Sequence, residues 1–238
     1  MQRIGFILIL TATFYVANAQ EEAVERKVKF NTKLDLHSSH LWRGFKNGNA
    51  FSIQPTISAS KGSLNIGSWA AYSGNDSYFE IDFFAEYTYK SITLSLYDYY
   101  CPKTTQIDGL FEFRKFHTRH TLDAMLVWNP KNLPFKLLAS TFVLGDDISP
   151  NNGKQVYSTY IEPAITWNFK RFLGEIFAGY TPFQGYYASS SAFVNIGSSV
   201  TYKIQIRGYN LPIQSKFSYN PVLKTYAYSI GVSVETNF

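Results

Sequence analysis

From Tyr226 onward the chain alternates strictly. Tyr226, Tyr228, Ile230, Val232, Val234, Thr236 and Phe238 form one series; Ala227, Ser229, Gly231, Ser233, Glu235 and Asn237 form the other. A period of two puts the series on opposite faces of a strand, one apolar and aromatic, the other small and polar. The same pattern recurs back along the chain. Its segments are Val28 to His37, Phe51 to Ser60, Leu64 to Ser73, Phe79 to Tyr89, Ile92 to Tyr100, Thr121 to Trp128, Phe135 to Leu144, Tyr157 to Phe169, Leu173 to Thr181, Phe193 to Tyr202, Tyr209 to Tyr219 and Tyr226 to Phe238, twelve in all.

The connections sort into two kinds that alternate. Lys61 to Ser63, Lys90-Ser91, Asn129 to Pro134, Lys170 to Phe172 and Lys203 to Gly208 are short. Leu41 to Ala50, Ser73 to Ser77, Cys101 to His117, Gly145 to Val156, Pro182 to Ala192 and Asn220 to Thr225 are mostly longer. Most segments come near the ~9–11 residues a tilted strand needs to cross a bilayer. An even strand number with short turns at one end and long loops at the other is the pattern of a membrane barrel. The expected fold is an all-β, transmembrane, antiparallel up-and-down barrel of about twelve strands over residues 28–238, with both termini periplasmic. Pro55 and Pro163 fall mid-segment, where proline cannot donate to a ladder, so a bulge or a rim position is expected at each.

Composition agrees with strands that are apolar on one side only. There are 20 Phe, 18 Tyr and 4 Trp, yet mean hydropathy is slightly negative. At the N-terminus, Arg3, the apolar run Ile4 to Val16 and Ala17-Asn18-Ala19 fit a cleavable secretory leader over residues 1–19. Residues 20–27 then form a short periplasmic lead-in. Loss of Arg3 lowers the formal charge from +5 to about +4. That excess is dispersed, so no nucleic-acid partner is expected. Cys101 is the only cysteine, which excludes an intrachain disulfide.

Several motifs carry a likeness to a known group. They are Ser39-His40-Leu41-Trp42-Arg43-Gly44-Phe45 with Ser52-Ile53-Gln54-Pro55, then Gly67-Ser68-Trp69-Ala70, Gly145-Asp146-Asp147, Tyr157-Ser158-Thr159-Tyr160-Ile161-Glu162 and Gly179-Tyr180-Thr181-Pro182. From Leu34 onward the chain resembles the TorF-type porins and related twelve-stranded outer-membrane barrels of Gram-negative bacteria. A final Phe238 likewise resembles the terminal signal that barrel-assembly machinery reads. The resemblance implies a fold, an outer-membrane location and lipid contact. It implies a pore by analogy alone.

Charged groups are costly on a lipid-facing wall, so Lys33, Asp35, His37, Gln54, Glu80, Asp82, Glu86, Asp123, Glu162, Gln214 and Lys216 are expected to line the lumen. They could form a polar path for small solutes, or a core of paired charges that fills the barrel. Acids on one wall and Lys33 and Lys216 on another suggest a transverse field. Trp42-Arg43-Gly44 reads either as a cationic outer mouth, or as a loop fixed by an Arg43 ion pair with Trp42 in an aromatic belt. Asp146-Asp147 with Asn151 and Asn152 is an oxygen-rich loop. It lacks the ligand spacing of a calcium loop and reads as solvated. His37, His40, His117 and His120 are the only histidines. No GxSxG element occurs, and a barrel lipid hydrolase would need a Ser–His pair on the outer wall. No catalytic residue, metal site or cofactor is expected. The favoured function is a porin-like passive channel for small hydrophilic solutes. The rival is a non-conducting structural barrel, or one that binds partners through its outer loops.

Overall fold

A computed structural model describes residues 27–103, 107, 109–206 and 209–237. The proposed leader, nearly all of the lead-in and Phe238 lie outside the described residues. Among the described residues fourteen strands follow in chain order: β1 (Lys29–His37), β2 (His40–Trp42), β3 (Phe45–Asn47), β4 (Ser52–Lys61), β5 (Leu64–Ser73), β6 (Phe79–Tyr89), β7 (Ile92–Tyr100), β8 (His120–Trp128), β9 (Phe135–Gly145), β10 (Thr159–Phe169), β11 (Phe172–Thr181), β12 (Ala192–Ile206), β13 (Tyr209–Asn220) and β14 (Thr225–Asn237). Twelve of them close a barrel in the order β1-β14-β13-β12-β11-β10-β9-β8-β7-β6-β5-β4. Each neighbour is the next barrel strand in sequence, and β1 closes on β14 through pairs such as Leu34–Val234 and Leu36–Val232. The chain is thus an all-β, antiparallel transmembrane barrel. The remaining two strands, β2 and β3, form a separate hairpin.

The alternation becomes two walls. Leu34, Leu36, Ile57, Phe83, Leu94, Leu96, Ile165, Ile176, Ile230 and Val234 are exposed on the outside. Asp35, Gln54, Ser58, Glu80, Asp82, Ser95, Asp123, Ser140, Ser199 and Ser229 are buried on the inside. A closed barrel satisfies its backbone internally, which lets an apolar outer wall face lipid. Tyr87, Tyr89, Trp167, Phe169 and Phe172 are exposed near the short turns, where an aromatic girdle belongs. This facing yields a test on β14. Val232→Arg should destabilise the folded barrel by ~2–4 kcal/mol if its site is near the midplane. Ser233→Arg, one residue on and pointing inward, should cost much less in the same denaturant titration. Equal losses would reverse the assignment.

Neither proline makes the bulge that was one of the two arrangements expected. Pro55 pairs with Leu34 of β1, and Pro163 pairs with Leu137 of β9. On their other sides the β4–β5 ladder skips from Ile53–Tyr72 to Thr56–Trp69, and the β10–β11 ladder from Ile161–Tyr180 to Ala164–Phe177. The register is the same before and after each gap, so neither proline makes a bulge. The missing N–H simply leaves a gap in one ladder. Register shifts occur instead at Gly179/Tyr180 and opposite Leu122/Asp123.

Candidate functional site: a hairpin across the bore

Between β1 and β4 the chain turns inward. Ser39 Oγ donates to the Tyr228 carbonyl at 2.8 Å and Ser229 Oγ donates to the Ser39 carbonyl at 2.7 Å, which tie the segment to β14. The His40 ring then meets Gln54 Nε2 at 3.1 Å through Nδ1. The β2–β3 hairpin follows, with Trp42 opposite Phe45. Its two-residue loop is Arg43 (φ 45°) and Gly44 (φ 88°). Two positive φ angles in a two-residue loop are the requirement of a type I′ turn. Glycine meets it freely, whereas an arginine there carries a backbone cost that its surroundings must offset.

The surroundings of Arg43 do so. Its guanidinium donates to Asp123 Oδ2 at 2.8 Å and to the Tyr187 hydroxyl at 2.5 Å. It also lies over the Trp42 and Tyr160 rings, 4.8 and 5.0 Å from their centroids. Tyr99 donates a second bond to Asp123 Oδ2 at 3.1 Å. Arg43 is 8% exposed and Asp123 0%. Asp123 belongs to β8, five strands round the barrel from β1 by the shorter way, so the hairpin reaches nearly across the lumen.

Rings fill the space around this pair. Trp42 packs on Phe45, Tyr99, Phe142, Tyr186 and Tyr187, with centroid separations of 5.8 to 6.5 Å. Tyr186 and Tyr187 come from the loop between β11 and β12, which also folds into the bore. Trp42 is therefore part of an internal aromatic core, not of an interfacial belt. The hairpin tip touches β12. A Cβ on Gly44 would stand 1.9 Å from the Val194 carbonyl oxygen, and Asn220 Nδ2 donates to the Gly44 carbonyl at 3.3 Å.

The other candidates fall into separate environments. Lys33 pairs with Asp35 at 2.9 Å, and Asp35 also accepts from Ser233. Glu80 accepts from Tyr78 at 2.6 Å and from the Cys101 thiol at 3.3 Å. Burial, with Glu80 alongside, pushes both the Tyr78 phenol and the Cys101 thiol up, so both remain donors. Glu86 accepts from Tyr97 at 2.7 Å and Asn65 at 3.0 Å. Glu162 accepts from Tyr160 and from Asn195 Nδ2. Asp82 is buried between these groups. Among the described residues neither Lys33 nor Lys216 bridges to the β6 acids; tyrosine, amide and thiol donors hold Glu80 and Glu86 instead, and Asp82 Oδ1 is buried without a hydrogen-bond partner.

The described residues enclose a larger and a smaller space inside the barrel. Toward the short turns lies a polar vestibule of about 730 Å³, lined by Lys136, Thr166, Glu175, Ser199, Thr201 and Gln214. Lys136 and Glu175 are ion-paired across it. Beside the hairpin is a smaller cavity of about 120 Å³, lined by His37, His40, Gln54, Gln214, Lys216 and Ser229. Gln214 borders both. Asp146 and Asp147 lie apart from the bore. Asp146 stands 3.7 Å from Arg119, and the buried Asp147 accepts from Ser158 N and Oγ at 2.8 and 2.6 Å. Asp147 thus fixes its own loop rather than being solvated.

Sequence reasoning missed the receptor side of the hairpin: Tyr99, Phe142, Tyr160, Tyr187 and Asn195. Four of the five fall on ordinary strands, where alternation gives a face but no partner. One signal was present, because an X-Gly pair flanked by aromatics, Trp42-Arg43-Gly44-Phe45, is a tight hairpin pattern.

No family model matches the chain, and no curated protein matches it. Among solved structures it is similar to a protein from work on the mechanism of in-meso crystallization of membrane proteins (TM-score 0.49, 7% identity, covering 88% of this chain and 84% of that one). It is also similar to a bacterial polysaccharide outer membrane secretin (TM-score 0.40, 7% identity, 90% and 99% coverage). A third is Salmonella typhi OmpF in complex with daunomycin (TM-score 0.37, 6% identity, 89% and 97% coverage).

Proposed function

We propose that this protein is an outer-membrane barrel that passes small hydrophilic solutes through a narrow bore, and that the β2–β3 hairpin holds the bore shut in the observed conformation. The observation that carries the reading is the reach of Arg43 from one wall to Asp123 on the far one, inside a ring of aromatics. The polar vestibule on the other side supplies the solvated half of a path. The leader over residues 1–19, the reading of Phe238 by the assembly machinery and membership of the TorF-type porins belong to the same proposal.

The test is conductance in a planar bilayer. Replacing residues 41–47 with a short Gly-Ser linker should convert a quiet barrel into one with steady single-channel steps. A wild-type protein that is already steadily open would overturn the hairpin's role. A silent deletion variant would favour the rival, a non-conducting barrel that works through its outer loops.

Charge then sets selectivity. In the hairpin-deleted barrel, Glu80, Asp82 and Glu86 stand along one wall. A narrow bore keeps them within the ~8 Å Debye length of physiological salt, so they act on every passing ion. Changing them to Gln, Asn and Gln should move the reversal potential in a salt gradient away from cation preference. An unmoved potential would remove these acids from the path.

A further inference from the structure

The small cavity beside the hairpin has a one-sided charge. His37 of β1, Gln214 and Lys216 of β13 and Ser229 of β14 form its barrel wall, and His40 and Leu41 of β2 close the opposite side. Among the described residues no carboxylate lines it. Strand register brings the wall together. Lys216 pairs with Ser229, and Gln214 with Gly231, which in turn faces His37 across the β1–β14 closure. Gly231 is what admits the imidazole, since a Cβ there would stand 2.2 Å from His37 Nδ1.

Lys216 lacks a counter-charge. Its Nζ lies over the Phe177 ring at 5.6 Å, and among the described residues it makes no hydrogen bond and no ion pair. The surrounding acids are engaged elsewhere. Glu162 and Glu175 act on Lys216 through space, yet Glu162 accepts from Tyr160 and Asn195 and Glu175 holds Lys136. Asp35, two residues from His37, is held by Lys33 and Ser233. Glu80 lies 3.8 Å from His40 Nε2 and accepts from Tyr78 and Cys101. An ammonium has three donors and no acceptor. Inside a barrel such a charge is costly unless it is paired or solvated.

An anion supplies what is missing. The cavity holds about 120 Å³, the share of about four waters in the liquid. That room suits a tetrahedral ion with four oxygens better than a single halide. Ammonium, imidazole and amide donors on different walls can serve different oxygens of such an ion, and charge-assisted bonds are the strong ones. Gln214 also borders the vestibule, which gives the ion a way in.

We propose that this cavity binds a small inorganic oxyanion, phosphate or sulfate, anchored by Lys216 between the barrel wall and the hairpin. Because His40 and Leu41 form one side, the ion binds best with the hairpin seated, and by linkage it favours that conformation. The site stands on the cavity and not on whether the bore conducts.

The test is isothermal titration calorimetry of the full-length barrel in detergent micelles, with sodium phosphate, sodium sulfate and sodium chloride at matched ionic strength. Phosphate and sulfate should bind saturably, and chloride much more weakly. Lys216→Met should cut the affinity about tenfold or more, the loss of one charge-assisted bond. Gln214→Glu puts a carboxylate on the same face two residues from Lys216, where it can pair with the ammonium, and should abolish binding with the lysine still in place. Lys90→Gln, in the turn between β6 and β7, should bind as the wild type does. Heat-dependent gel mobility shows that each variant is a folded barrel. Replacing residues 41–47 with a Gly-Ser linker should lower the affinity, because one side of the cavity is lost. No saturable binding, or binding unchanged in both Lys216→Met and Gln214→Glu, would overturn the site. Equal binding of chloride would overturn the oxyanion assignment, and full affinity in the hairpin-replaced barrel would overturn the hairpin's part in it. A barrel that binds phosphate through Lys216 yet never conducts supports the site and counts against the channel alone.

Discussion

Asp123→Ala should open the bore. The change leaves the Arg43 guanidinium in an aromatic pocket with its carboxylate removed, where it had been 8% exposed beside a fully buried partner. Breaking a buried pair from one side costs ~3–5 kcal/mol, because a charge is stranded without solvent. The hairpin has a way to avoid that cost, which is to withdraw and let Arg43 hydrate. The expected result is therefore channel activity in a bilayer, together with a smaller loss of barrel stability than a locked core would show. Removing both charges distinguishes the ion pair from general damage. In the Arg43→Met, Asp123→Ala protein an apolar side chain sits where the guanidinium was, and such replacements are often neutral or stabilising. The hairpin should return and conductance should fall back. If the double variant conducts as much as Asp123→Ala, the pair does not latch the hairpin.

The barrel was legible in the sequence, and its contents were not. The reason is physical. Each strand meets lipid on one side, so the environment imposes a period of two that survives without knowledge of any partner; the β14 series from Tyr226 to Val234 is the clearest case. The alternation of short and long connections then fixes neighbours, since each barrel strand pairs with the next. Asp123 illustrates the limit. Its parity marks it as inward, but its partner lies 80 residues away in the sequence on a hairpin inside an expected loop. Arg43 was recognisable as a cation that could be paired, without any means of naming the acid. Asp98 shows a different failure. It sits on the lipid-facing series of β7, against the rule for charged groups, and only its contact with His120, which Leu110 and Phe113 cover, accounts for it. Pro55 and Pro163 read as marking either a bulge or a rim position, because a lost donor usually disturbs a ladder. Each instead interrupts pairing with one neighbour over two residues and leaves the register intact.

Gly44→Ala should release the hairpin without altering any charge. Gly44 holds φ at 88°, where an L-residue pays ~1–2 kcal/mol for a left-handed backbone. That strain alone would be tolerable. The added methyl, however, would stand 1.9 Å from the Val194 carbonyl oxygen and 3.3 Å from Asn195 Cβ. The obstacle is backbone of β12 at Val194, flanked by the Phe193–Tyr180 and Asn195–Gly179 pairs with β11, so the tip of the hairpin is the part expected to move. Moving it breaks the bond from Asn220 to the Gly44 carbonyl and draws Arg43 away from Asp123. Gly109→Ala is the matched control. Its φ is +71°, yet the nearest atom to a new Cβ is Glu112 Cβ at 3.5 Å, an ordinary contact. It should carry the backbone strain with no effect on the bore. Gly44→Ala should give bilayer conductance steps approaching those of the hairpin deletion, and Gly109→Ala should stay as quiet as the wild type. If the two alanine variants are equally silent, the contact between the hairpin tip and β12 does not hold the bore closed.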